Sequence, residues 1–368
     1  MSESGSDHPK APPFPGPGPR RKPVKLSEES LVRGGLLLPD RSLPFAVQPT
    51  LPGMRLLTYA TGHRELLDPA LARHGAVLFR GFSGLTPAGF EQLIGELSGA
   101  LLEYTHRSTP RTRVSGRIFT STEYPPEQTI PLHNEQAYAR GWPQRIYFCC
   151  MQAPAQAGET PLADSRRVLA RISPSVRERF RRTGVMYVRN YGEQLDLPWQ
   201  EVFQTHDRRE VEAYCRAMGI SVEWRDGGRL RTSQVAQATL THPVTGEDVW
   251  FNQAHLFHFS SLEPAVRDAL LAVFEPEELP RNACYGDGTP IEPPVLEEIR
   301  EAYRAEEVVF PWQEGDVLMV DNLLVAHGRR PFTGPRRIVV GMSSPGGAGP
   351  GPESPSFQGT AACPPTRD

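Results

Sequence analysis

The middle of the chain switches between two hydrophobic periods. Apolar positions at helical spacing mark Leu66–His74 and Pro87–Leu101, where Phe90, Leu93, Ile94 and Leu97 share a face. Thr86-Pro87 supplies a cap and a first-turn proline for the second of these, and Ser173-Pro174 repeats the signal. Helices are therefore predicted over Ser165–Arg171, Ser173–Thr183 and Arg208–Met218 as well. Short runs rich in β-branched and aromatic residues predict strands at Ala76–Arg80, Arg117–Thr120, Arg145–Met151, Val185–Val188 and Leu230–Val235. Further strands are predicted at Val249–Phe251, Glu307–Phe310, Asp316–Val320 and Arg337–Met342, and Gly141-Trp-Pro143 reads as a turn. Helices come first, and many short strands with inserted helices follow. That order predicts a mainly β domain with helical decoration around a double-stranded β-helix (jelly roll) core.

Composition changes the picture at the ends. Residues 1–25 are Pro-rich and carry the basic patch Arg20-Arg-Lys22, and residues 344–368 are rich in Pro and Gly. Neither can bury enough apolar surface to offset chain entropy, so both are expected to be disordered tails around one domain at 26–343. The chain has 368 residues, a net charge of -3 and 38% hydrophobic residues. Its basic residues are scattered, as in Arg181-Arg182, Arg208-Arg209 and Arg229/Arg231, so nucleic acid is not expected as a partner. No window approaches the ~20 apolar residues that span a bilayer, and the start has no apolar leader core. Five cysteines form no CxxC pair, and Cys149-Cys150 sits in an apolar run. The expectation is a reduced, cytoplasmic protein without membrane contact.

The candidate chemistry begins at Ile130-Pro-Leu-His-Asn-Glu135. In an extended strand, His133 and Glu135 would share a face with Cα atoms roughly 6–7 Å apart. Alone, each has a bland reading: an edge-strand histidine and a solvated carboxylate. The downstream stretch Gly315-Asp-Val-Leu-Met-Val-Asp-Asn-Leu-Leu-Val-Ala-His327-Gly-Arg adds a second histidine after a buried run. Two histidines and one carboxylate on one face of a metal form the facial triad of non-haem Fe(II) oxygenases, and His133, Glu135 and His327 are assigned to it. Ala157-Gly-Glu-Thr160 places a threonine in a glycine turn. Arg336-Arg337 opens the last strand ten residues after His327, room for a turn and an antiparallel return into the same barrel mouth. An arginine there could bind a carboxylate bidentately, and one of the two is expected to be structural or exposed.

These motifs resemble the Fe(II)/2-oxoglutarate-dependent dioxygenases of the taurine dioxygenase (TauD/TfdA) superfamily, and most of all its syringomycin-type and clavaminate-synthase-like members. The resemblance covers about Gly75 to Met342 and includes Arg189-Asn-Tyr191, Phe251-Asn-Gln-Ala-His255 and Tyr285-Gly-Asp-Gly288. It implies that His133, Glu135 and His327 bind Fe(II). It also implies that Thr160 and Arg337 hold the distal carboxylate of 2-oxoglutarate, with Arg336 the second choice, and that O2 is consumed. Ala157 stands where the family usually has glycine, and Gly341 where some members have a second basic residue. Radical halogenases of this architecture lack the carboxylate, so Glu135 implies hydroxylation of an unactivated C–H bond. The substrate implied is a small molecule: an amino acid of specialised metabolism, free or tethered to a peptidyl carrier protein. Another organic acid or a sulfonate, or a non-catalytic metal-binding barrel, are the alternatives. Tyr191, Asn252 and His255 are candidates for the substrate pocket, with core or strand-edge roles equally open.

Overall fold

The computed structural model describes residues 31–102, 112–121, 124–192 and 197–347. Its largest sheet has eight strands in the order β1 (Val32–Leu36), β2 (Phe45–Pro49), β3 (Ala76–Phe79), β16 (Val317–Asp321), β7 (Gly141–Gln152), β19 (Arg337–Gly347), β5 (Ile118–Thr120) and β4 (Arg113–Ser115). All pairings in it are antiparallel except β2 with β3. A three-stranded sheet contains β6 (Ile130–His133), β17 (Val325–Arg329) and β9 (Leu162–Asp164). A four-stranded sheet contains β11 (Ser221–Trp224), β12 (Leu230–Ala236), β10 (Val185–Tyr191) and β15 (Arg281–Tyr285). Two ribbons complete the set: β13 (Thr239–Thr241) with β14 (Asp248–Trp250), and β8 (Gln156–Ala157) with β18 (Phe332–Thr333). The protein is thus mainly β with helices packed outside.

Strand alternation sorts the side chains into layers. Ile146, Phe148 and Cys150 of β7, Leu318 and Val320 of β16, and Ile338, Val340 and Met342 of β19 meet Leu162 and Val325 of the three-stranded sheet in one shared core. The intervening residues Tyr147, Cys149, Met319 and Val339 face the opposite way, onto the helices Arg64–His74 and Pro87–Ser98. On the far side, Leu132, Ala163 and Ala326 pack with Val168, Phe180, Leu296 and Ile299 from the helices Ser165–Arg171, Pro174–Thr183 and Pro293–Glu306. A buried ion pair ties the first layer together: Arg80 donates to both carboxylate oxygens of Asp316, the shortest contact being 2.6 Å.

Several expectations shift. The turn read at Gly141-Trp-Pro143 is the start of β7, because Pro345–Gly347 of β19 pairs with it. That pairing also carries the last strand to Gly347, past the expected boundary at 343. Glu307–Phe310 makes only one isolated bridge, Val308 to Leu162. The 14-residue helix Pro293–Glu306 was not assigned from sequence at all. β19 does not return beside β17: it crosses to the large sheet, between β7 and β5. The segments expected to be disordered, 1–25 and most of 344–368, lie outside the described residues. Among the described residues no helix is long and apolar enough to cross a membrane.

Candidate metal centre

His133 closes β6 and His327 lies mid-strand in β17, where the two are direct cross-strand partners. Their neighbours Leu132 and Ala326 face the outer helices, so alternation turns both imidazoles inward. The rings are 4.6 Å apart, and Phe148 of the large sheet meets His327 edge-on at 5.2 Å.

Glu135 arrives by a different route from the one expected. β6 ends at His133, and Glu135 sits in the turn that follows, not on the same strand face. Two buried amides fix that turn. The Asn322 side chain accepts from the Glu135 N–H at 2.8 Å and donates to the Glu135 carbonyl at 3.0 Å and the Pro143 carbonyl at 2.8 Å. Asn134 donates to the Asn322 carbonyl at 2.6 Å and to Ser165 Oγ at 3.1 Å, while Gln253 donates to the Asn134 carbonyl at 2.7 Å. Asn322 thus satisfies both backbone polar groups of Glu135, as a paired strand would. Asn134 and Asn322 both lie inside the motifs that carry the ligands, but no periodicity marks them as a clamp.

The result is a convergent donor set. One ligand atom each from His133, Glu135 and His327 lies within 4.8 Å of the others, with His327 Nε2 3.9 Å from Glu135 Oε2. Glu135 and His327 are both buried. His133 Nδ1 is 2.8 Å from the Pro131 carbonyl. A carbonyl can only accept, so Nδ1 carries the proton and Nε2 keeps its lone pair for an ion. Two imidazoles and a carboxylate, held near one point with one tautomer fixed, fit a divalent ion of the Fe(II) type.

A narrow cavity beside the triad is walled by His133, His327, Phe148, Thr160, Arg329 and Arg336, and no acidic side chain lines it among the described residues. Arg336 donates from Nε to the Gly158 carbonyl at 2.9 Å and from Nη1 to Ser121 Oγ at 3.2 Å. Burial, then the neighbouring charge of Arg329, pushes its guanidinium down to about 10, which leaves it charged at neutral pH. Arg329 donates to the carbonyls of Tyr124, Pro125 and Gln128. Thr160 accepts from Trp312 Nε1 at 3.1 Å. Ala157 adopts φ 55, a left-handed value that glycine takes freely, so the turn keeps its shape despite the substitution.

The two adjacent arginines are placed differently. Arg337, preferred from sequence, is exposed on β19, whereas Arg336 lines the cavity. Ile338, Val340 and Met342 face the shared core, and Arg336 keeps their even-numbered phase even though the register shifts between Arg337 and Ile338. Hydropathy could not reveal this, because β19 is buried on both faces and shows no polar alternation.

The three substrate candidates separate. Tyr191 ends β10 and lines a larger cavity of about 430 Å³ together with Gln136, the residue after Glu135. Asn252 lines none of the cavities described: it donates to the Ala238 carbonyl at 2.9 Å and accepts from the Ala254 N–H at 3.0 Å, bracing the chain there. His255 stacks on Tyr303 at 4.6 Å, and its Nε2 is 3.3 Å from the Leu132 carbonyl. Leu132 faces away from the triad, so His255 lies behind β6, and burial pushes it down to about 3.

Residues 40–343 match the family described as "Taurine catabolism dioxygenase TauD, TfdA family". The dapdiamide synthesis protein DdaC of Enterobacter agglomerans is 46% identical over 302 residues, 80% of this chain and 92% of that protein. A clavaminate synthase-like protein of Arabidopsis thaliana is 33% identical over 290 residues, 76% of this chain and 84% of that one. Among solved structures, the PvcB protein from Pseudomonas aeruginosa aligns with TM-score 0.53 at 16% identity, covering 88% of this chain and 94% of that one, a likeness of fold.

Proposed function

Because the chain belongs to the TauD/TfdA family of Fe(II)/2-oxoglutarate-dependent dioxygenases, we propose that His133, Glu135 and His327 hold the Fe(II) of a hydroxylase. The observation that carries the reading is the convergence of the three donor atoms beside a cavity that, among the described residues, is lined by two guanidinium groups and no acidic side chain. Such a cavity favours an anion, and its wall holds both His133 and His327 of the triad and the two guanidinium groups, as a dicarboxylate reaching from the metal would need. Bound there, Fe(II) and 2-oxoglutarate supply the O2-dependent oxidising chemistry; the rest is the work of this chain's side chains.

Arg336 and the Thr160 hydroxyl grip the distal carboxylate, and the Thr160 contact with Trp312 fixes which way that hydroxyl points. Arg329 adds charge from behind while bound to three carbonyls. Asn322 and Asn134 keep Glu135 aimed at the ion. Phe148 and Val340 line the same cavity and keep it dry. The two facing sheets are read as the two halves of a jelly roll whose mouth carries the site. The likeness to DdaC, named for dapdiamide synthesis, supports an amino-acid-derived substrate in specialised metabolism, free or presented on a carrier protein. Cys149, Cys150 and Cys215 are buried free thiols, as a reduced chain requires, but Cys284 is disulfide-bonded, against that expectation.

The test is anaerobic titration of the full chain with Fe(II) and then 2-oxoglutarate. A weak visible charge-transfer band should appear in the wild type and vanish in His133→Ala. Iron bound without a band on adding 2-oxoglutarate would overturn the assignment.

A further inference from the structure

A histidine–carboxylate pair lies outside the triad, where β16 ends at Asp321 and β17 begins at Val325. The Asp321 carboxylate closes this connection. Its Oδ1 accepts from the backbone N–H of Leu323 at 3.0 Å and of Leu324 at 3.2 Å, a side-chain turn. Its Oδ2 lies 3.2 Å from Nε2 of His242. His242 follows β13 and is buried, and its Nδ1 accepts from the Thr245 N–H at 3.1 Å. A backbone N–H can only donate, so the ring proton sits on Nε2, which donates to Asp321. Each carboxylate oxygen thus has its own partners, and the plane of the group is fixed. The residue inside this turn is Asn322, whose side chain brackets Glu135. The turn is also seated without slack: the Gly75 carbonyl accepts from the Asp321 N–H at 2.9 Å, and a Cβ on Gly75 would fall 2.4 Å from Val325 Cγ2.

We infer that His242 is a positioning residue of the metal centre: by holding Asp321 it fixes the turn from which Asn322 reaches Glu135. The inference rests on the proposed reading of the triad as a metal site and deepens it. Among the described residues no other hydrogen bond reaches Asp321 Oδ2. Without the His242 N–H the carboxylate can swing, and the bonds to Leu323 and Leu324 no longer select one geometry for Asn322. An error of aim matters at this point, because the Asn322 side chain makes three bonds at once, to the Glu135 N–H and to the Glu135 and Pro143 carbonyls. Partners that orient a metal ligand are worth about 10–100-fold in affinity, and His242 stands one step further out, so the lower end applies. A role in folding alone forecasts something else: lower stability, with the metal affinity of the folded protein unchanged.

The experiment measures Mn(II) binding to the full chain by equilibrium dialysis, with urea unfolding of the metal-free protein beside it. His242→Phe keeps a ring and removes both bonds, whereas His242→Gln keeps an N–H donor at the reach of Nε2. Asp321→Asn keeps an oxygen for Leu323 and Leu324 and turns its NH2 toward the His242 N–H. It therefore breaks the same pair from the other side at constant size, and carries the comparison if His242→Phe does not fold. His242→Phe and Asp321→Asn should each lower Mn(II) affinity about 10-fold, and His242→Gln should bring it back to within about threefold of wild type. In an Asn322→Ala background, His242→Phe should lower it by no more than about a further twofold, because the path it acts through is already cut. Wild-type affinity in His242→Phe and Asp321→Asn, no recovery in His242→Gln, or an undiminished loss on top of Asn322→Ala would each overturn the inference. The dioxygenase reading fails separately: wild type that holds metal but gives no charge-transfer band with 2-oxoglutarate sinks that reading and leaves the Mn(II) comparison standing.

Discussion

The proposal that Arg336 rather than Arg337 anchors the co-substrate can be tested by two adjacent substitutions with opposite outcomes. Arg336→Met keeps length and apolar bulk but removes the cation. If Arg336 makes two charge-assisted hydrogen bonds to the distal carboxylate of 2-oxoglutarate, their loss costs roughly 3 kcal/mol of binding. At about 1.4 kcal/mol per tenfold, that is a fall in affinity of roughly 100-fold. Without co-substrate the same change should do little harm. The guanidinium is buried, pushed down to about 10, and sits near Arg329, so among the described residues its local returns are modest: the bonds to Gly158 and Ser121 and a contact over the Phe332 ring at 5.4 Å. Thermal unfolding of the Fe(II)-loaded, anaerobic protein reads both effects. At 2-oxoglutarate 100 times the wild-type Kd, mass action stabilises wild type by about 2.7 kcal/mol. The same concentration stabilises Arg336→Met by only ~0.4 kcal/mol if affinity has fallen 100-fold. Arg337→Met, an exposed change, should match wild type within ~0.5 kcal/mol in both conditions. A co-substrate shift that survives in Arg336→Met and disappears in Arg337→Met would refute the phase argument and the anchor together.

Two further substitutions probe what holds the site and the sheet. Asn322→Ala should weaken Fe(II) binding by about 10–100-fold, as loss of a ligand's supporting partner does. Equilibrium dialysis of Fe(II) or Mn(II) would show it, and unchanged metal affinity would mean that the Glu135 turn holds its shape without the amide. Asp316→Ala leaves the Arg80 guanidinium buried without its carboxylate, and should cost roughly 3–5 kcal/mol of stability by urea unfolding while the metal affinity of the folded fraction stays within twofold.

The sequence shows the elements whose signal is local. Thr86 caps its helix through a bond from the Gly89 N–H, as the Thr-Pro pair suggested. The helices Ser165–Arg171, Pro174–Thr183 and Arg208–Ala217 fall where the periodicity puts them. Pro293–Glu306 was equally legible: it has proline at its first turn and buries Leu296, Ile299 and Tyr303 at helical spacing. Long-range pairing is different in kind. Whether Gly141-Trp-Pro143 turns or runs straight depends on a partner about 200 residues away, at Pro345–Gly347. The partnering of β19 with β7 rather than β17 likewise depends on which sheet closes over which, and no local window encodes that.

The site divides along the same line. His133, Glu135 and His327 could be named because the chemistry restricts which residue types can serve, whatever brings them together. The route was misjudged for Glu135, which comes from a turn clamped by Asn322 and not from strand alternation. The functional claim survived that error because the clamp delivers the same convergence a strand would have. Arg336 against Arg337 had no such protection: both are arginines, so residue type cannot choose between them. Only the phase of a strand buried on both faces can, and it is set by Ile338 and Val340 packing against Leu162 and Val325 from another sheet. Residue identity in this protein therefore limits which chemistry is possible, while packing between the sheets decides which of two identical side chains faces the cavity beside the triad.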